Sequence, residues 1–341
     1  MITAEDFEYH GSDPTIRNWA ETIVLVFSVP EAGILGNAYV LARPNVGAAI
    51  SSVVVHGGFA THAHTMDFAD PQVHMPAPER FSDFALPSGL GLHVDDAPRD
   101  FSMRYASNAP GACSLDLRFQ GLHDPFDTHD PEQNPLIEGD AAQRDTGLGD
   151  VWSTGHMDMV GHVTGTLELR GTHYDVDCYD GMDRSWGPRT EVGGAGAAWI
   201  HVPFGPEFAM HLTMALRIDD DGTVVYDSLR FGYVVEDGVL TGLTSASVTA
   251  ARIDMVAVTN HIVATDARGR THEFFGTAVG GYPWHQFSPA YVCYQSLMRY
   301  EWNGRTGYAE HGDIFGLEYL AQRMSAAGRR SAAALTPRPT A

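Results

Sequence analysis

Phe208-Ala-Met-His-Leu-Thr-Met-Ala-Leu-Arg-Ile218 alternates without a break. Phe208, Met210, Leu212, Met214, Leu216 and Ile218 share one apolar face, opposite His211, Thr213 and Arg217. A period of two belongs to a strand, and one wholly apolar face predicts a half-buried one. Val163–Arg170 repeats the pattern more weakly. Further strands are expected at Thr22–Val29, Asn37–Arg43, Ile50–His56, Thr172–Cys178, Val224–Val234, Ser247–Met255, His272–Val279 and Tyr291–Trp302. Asp221-Gly222, Asp237-Gly238 and Asn303-Gly304 are hairpin dipeptides between them. Amphipathic helices are scarce, Ile314–Met324 being the best candidate. The expectation is an all-β, mainly antiparallel protein of barrels or sandwiches with few short helices.

At 341 residues and 44% hydrophobic content the chain can bury a substantial core as one large or two medium domains. A net charge of −22 repels nucleic acid and anionic membranes. All 21 basic residues are arginine, which excludes lysine Schiff bases and a Walker-A lysine. No apolar run is long enough for a membrane span, and the first residues lack the basic and apolar regions of a signal peptide. The three cysteines, Cys113, Cys178 and Cys293, are far apart. A reduced, cytoplasmic protein is expected. There is no Gly-x-Ser-x-Gly, P-loop or dinucleotide fingerprint, so no cofactor is expected.

Leu122–Asp150 reads as a long acidic loop, and residues 325–341, basic and rich in Ala and Pro, as a disordered tail. Strand-rich stretches on either side of Arg189–Ala197, which holds Val192-Gly-Gly-Ala-Gly196, predict two β-domains, 1–190 and 191–324.

The chemistry concentrates in Tyr174–Arg189, Tyr-Asp-Val-Asp-Cys-Tyr-Asp-Gly-Met-Asp-Arg-Ser-Trp-Gly-Pro-Arg. Four carboxylates, two arginines, two tyrosines and a tryptophan fall within sixteen residues after a clear strand. Buried charge is costly unless paired, and perturbed carboxylates gather at functional sites. In an extended segment Asp183 and Ser185 face one side, Arg184 and Trp186 the other. Asp183 can then line a cavity without pairing to Arg184. A second reading makes Arg184, Trp186 and Arg189 an interdomain latch of stacked guanidinium and indole.

Asp183-Arg-Ser-Trp-Gly-Pro-Arg189, after the Gly-Thr-Leu-Glu-Leu strand and Tyr-Asp-Val-Asp, resembles the carotenoid 1,2-hydratase-like superfamily. The resemblance extends weakly to Ile34–Asn45 and Trp302–Glu318. It implies two lipocalin-like β-barrel domains and makes Asp183 the match of the acid that protonates an isoprenoid double bond. The chain departs from that pattern with Arg184-Ser185 in place of His-Asn, and with Gly181 in place of Tyr.

Water addition to such an alkene, or its reversal, passes through a tertiary cation. It needs an acid, a dry cavity and aromatic faces. An Asp serves as acid near neutrality only if burial raises its pKa. The expected catalytic residues are Asp183 with Tyr179, His201 or Asp177 as proton carriers. Trp186, Trp199, His211, Trp284, His285 and Arg184 are the substrate-binding candidates. The expected partner is a small hydrophobic substrate, with no nucleic acid and no membrane insertion; homo-oligomerisation is left open. Three alternatives stand beside this hydro-lyase: an isomerase or cyclase using the same acid, a non-catalytic carrier of hydrophobic ligands, and a cupin-like metal enzyme using His62 and His64.

Overall fold

In a computed structural model, residues 2–137, 154–190, 194–285 and 287–335 are described. The parts of the acidic loop, the Gly-rich stretch and the tail at 138–150, 191–193 and 336–341 lie outside the described residues. One antiparallel sheet holds β1 (Trp19–Val29), β2 (Ile34–Arg43), β3 (Ala48–Gly57), β4 (Phe68–Pro76), β5 (Asp83–Ala85), β6 (Leu90–Asp96), β7 (Asp100–Ala106), β8 (Cys113–Gly121), β9 (Phe126–Asp127), β10 (Gly155–Leu169) and β11 (Thr172–Pro188). Its order is β4-β3-β2-β1-β11-β10-β8-β7-β6-β5, with β9 paired to β10. The remaining strands close an eight-stranded antiparallel barrel in sequence order: β12 (Gly196–Pro203), β13 (Phe208–Ile218), β14 (Val224–Glu236), β15 (Val239–Ile253), β16 (Val256–Asp266), β17 (Thr271–Trp284), β18 (Tyr291–Trp302) and β19 (Arg305–Gly316).

Alternation sorts each strand between two environments. Ile23, Leu25 and Phe27 of β1 join Met157, Met159 and Met182 in the core of the first sheet. Phe208, Met210, Leu212 and Met214 of β13 fill the barrel with Ile200, Val202 and Phe315. The opposite faces meet each other. Val24, Val26, Leu35, Tyr39 and Leu41 of the sheet pack on Trp199, Tyr282, Trp284 and Leu297 of the barrel. This corrects the half-buried reading of Phe208–Ile218: His211 and Thr213 are fully buried, because their face lies under the first sheet.

The expected helix Ile314–Met324 begins three residues late, since β19 runs to Gly316. α1 then spans Leu317–Leu335, so the segment 325–335 is helical where a disordered tail was expected. Its alanines favour helix. Arg323 Nε and Arg330 Nε anchor it by donating to the carbonyls of Ile218 and Asp220, and the Ile218 amide donates to Tyr319 Oη. No described helix is long and apolar enough to cross a membrane.

Candidate active site

Between sheet and barrel lies a small chamber of about 60 Å³. Val24, Asn37, Tyr39 and Asp183 contribute from the sheet; Trp199, Trp284, Cys293, Gln295, Glu310 and Ile314 contribute from the barrel. The chamber lies between the sheet and the barrel, on the faces turned away from their own cores. Asp183 pairs in register with Val24 of β1 and Asp158 of β10. Its carboxyl receives no hydrogen bond from a described residue. Burial pushes it up to about 6, against the charge of His156 and with that of Asp158.

Glu310, which sequence reasoning missed, is the second carboxyl of the chamber and is 1% exposed. Burial holds it well above the usual carboxylate range, and the charges of Asp180 and Asp183 add to this. Its orientation is set across the seam. Asn37 Nδ2 donates to Gln295 Oε1 at 2.9 Å, which turns Gln295 Nε2 toward Glu310 Oε1. Glu310 Oε2 is buried without a hydrogen-bond partner among the described residues. A neutral carboxyl whose Oε1 already accepts carries its proton on Oε2, available to an occupant of the chamber.

Behind Asp183 stands a charged pair. Asp158 Oδ2 lies 2.8 Å from His156 Nε2, and Trp199 Nε1 donates to Asp158 Oδ1 at 2.8 Å. Burial opposes charge on Asp158, yet His156 holds it at about 2, while Asp158 raises His156 in return. His211 is driven down to about 3 by burial and is neutral near pH 7. The ring of His201 packs edge-on against Trp199 at 4.2 Å and approaches Asp180 Oδ1 at 3.3 Å. That ring occupies the space beside Gly181, where an added Cβ would sit 2.1 Å from it. The glycine two residues before Asp183 is therefore required by His201.

The remaining motif residues hold this frame. Ser185 Oγ meets Thr22 Oγ1 at 2.6 Å and accepts from Arg189 Nη2 at 2.8 Å. Arg189 Nη1 donates to Tyr39 Oη at 3.3 Å. Arg184 and Trp186 do not reach the chamber, which corrects their assignment to substrate. Fully buried Arg184 pairs with fully buried Glu21 at 2.7 Å and lies over Phe81, and Trp186 stacks on His10 at 3.9 Å. These contacts tie parts of the N-terminal half to one another, whereas the second reading expected a latch between domains.

Asp177 and Tyr179 also fall elsewhere. Asp177 is 78% exposed and pairs with His162 at 2.6 Å, and Tyr179 stacks on that same ring. Both border an open crevice of about 640 Å³. Six residues of strand put Asp177 roughly 20 Å from Asp183. His285 is exposed and lines an outer groove. His62 and His64 sit exposed around the short turn Ala63–Thr65, not on a strand, with rings 5.5 Å apart. Among the described residues no three His, Cys, Asp or Glu side chains cluster as a metal site. Trp199, His201, His211 and Trp284 are the candidates gathered at or behind the chamber wall with Asp183.

An incomplete sheet docked on a closed barrel, with a carboxyl-lined chamber at the seam, defines the class of fold. Residues 3–319 match the family described as Domain of unknown function (DUF7064), and the chain belongs to it. No functionally curated protein matches the sequence. Among solved structures, an ATTH candidate from Nitrosomonas europaea has 12% identity over 92% of this chain and 95% of its own, with a TM-score of 0.57. CghA has 10% identity over 88% and 89%, with a TM-score of 0.55. Kievitone hydratase from Nectria haematococca has 10% identity over 88% and 89%, with a TM-score of 0.51. At these identities the likeness is one of fold, and at that level it agrees with the carotenoid hydratase-like resemblance.

Proposed function

We propose that the chain is a cofactor-independent hydro-lyase that adds water to a hydrophobic alkene or removes it from the corresponding alcohol. The observation that supports this most is the pair of unlike carboxyls facing one largely apolar chamber: Glu310 neutral with Oε2 uncommitted, Asp183 titrating near 6. Unlike environments for two carboxyls separate an acid from a base. Near pH 7 Asp183 is mostly ionised, so the acid role that the motif suggested for it passes to Glu310.

In dehydration Glu310 Oε2–H protonates the hydroxyl oxygen, the C–O bond breaks and water departs. Asp183 then takes a proton from the carbon beside the cation, and that C–H pair becomes the double bond. Water returns the proton from Asp183 to Glu310. Hydration runs the same steps backward: water relays the Glu310 proton to Asp183, Asp183 protonates the alkene carbon, and ionised Glu310 takes a proton from the water that attacks the cation. Trp199, Trp284 and Tyr39 supply the electron-rich walls for the cation. That a fold neighbour is a hydratase, acting on kievitone by its name, accords with this chemistry.

The test is a panel of terpenoid tertiary alcohols and their alkenes incubated in heavy-oxygen water and followed by mass spectrometry. Reversible hydration exchanges the hydroxyl oxygen; isomerisation and simple carriage do not. Exchange that persists at the wild-type rate in both Glu310→Gln and Asp183→Asn would reject the assignment.

A further inference from the structure

The chamber holds about 60 Å³, the space of two or so water molecules, and so admits only the reacting end of a substrate. A groove of about 880 Å³ lies against the same wall. Tyr39, Trp284 and Phe287 line the chamber, while Leu41, His285 and Ser288, one or two residues further along the same segments, line the groove. The three rings form the partition: Tyr39 stands edge-on to Trp284 at 6.0 Å and to Phe287 at 5.8 Å, and Trp284 meets Phe287 at 4.8 Å. The floor of the groove is apolar, and Val73 on it is 69% exposed. Its ionisable lining is Arg17, Arg43, His74 and His285, with no Asp or Glu among the described residues, in a chain where acidic residues outnumber basic ones 43 to 21. Arg17 is exposed and forms no ion pair with a described residue.

We propose that this groove binds an apolar organic acid, its carboxylate at Arg17 and its uncharged end passing between the three rings to Glu310 and Asp183. The polarity follows from charge. Asp183 repels an anion from the chamber, whereas Arg17 attracts one away from it, beside Arg43, which lies four residues along β2 from Tyr39 and donates to the Asn18 carbonyl. This assignment of substrate class rests on reading the chamber as the reactive centre.

Calorimetric titration with dodecanoate and dodecanol tests it. Dodecanoate should bind about tenfold more tightly, against the repulsion of a net charge of −22. Arg17→Glu should abolish that preference and leave dodecanol affinity unchanged, and Val73→Asp should weaken both ligands. Bromine at the far end of 12-bromododecanoate should quench tryptophan fluorescence, and Trp284→Phe should remove most of that quenching. Equal affinity for acid and alcohol, or a preference that survives Arg17→Glu, overturns the proposal. Arg17-dependent binding without heavy-oxygen exchange would instead sink the reading of the chamber and leave the groove standing.

Discussion

Glu310 keeps its proton because Gln295 and Asn37 fix one oxygen while burial denies the other a charge. Glu310→Gln preserves the shape and removes the transferable proton, so turnover should fall at least about a hundredfold with little change in ligand affinity. Single-turnover kinetics beside equilibrium titration separates the two effects. Asp183, held at about 6, must be ionised to act as base, so kcat/KM should rise as pH climbs through 6. That acid limb should vanish in Asp183→Asn. The pair behind it responds in the opposite range. Asp158 is held at about 2 against an ordinary 3.8, so the folded state gains about 2 kcal/mol above pH 4 and loses it as pH falls toward 2. Asp158→Asn should therefore flatten that part of an acid-unfolding curve. Little of this was legible beforehand. Asp183 stands in a dense motif, whereas Glu310 lies more than a hundred residues away with no local signal; only the register of β19 against β12 and β18 brings it to the seam.

Among the elements, β11 carries the clearest lesson. Its alternation was readable: Asp183 and Ser185 do face away from Arg184 and Trp186, and the two faces have different work. One holds the chamber; the other closes a buried pair, Arg184 with Glu21. Arg184→Ala would leave Glu21 buried without its guanidinium, and a loss of about 3–5 kcal/mol is expected in chemical denaturation. Gly181→Ala should fail differently, because its methyl would displace His201 rather than break an ion pair. The strands around Thr22–Val29, Phe208–Ile218 and Tyr291–Trp302 were visible because alternation or β-branched runs marked them. β4 to β8 were not named, as charged outward positions and Pro71, Pro76, Pro87 and Pro98 make that stretch resemble a series of loops. Which polar face would be buried could not be read from period alone, since docking, not the strand itself, hides His201 and His211.

For the whole molecule, the apolar seam decides stability. Trp199, Tyr282 and Trp284 would be exposed if sheet and barrel parted, so the two should unfold in one calorimetric transition rather than two. The charge of −22 sets a separate term: added sodium chloride should raise the melting temperature by screening repulsion among surface carboxylates. An unchanged midpoint would show that the acidic residues are already spaced to avoid one another. The all-β architecture was legible from strand periodicity.

Donor and acceptor of the proton ride on separate scaffolds, Asp183 on one and Glu310 on the other. Their separation is thus governed by how sheet and barrel sit together, much as the gap of a vice follows its jaws. Mild pressure or low urea that slips this alignment by an ångström would silence turnover while circular dichroism stayed flat. Evolution, by the same logic, can repaint the facing walls for new substrates and leave both interiors untouched.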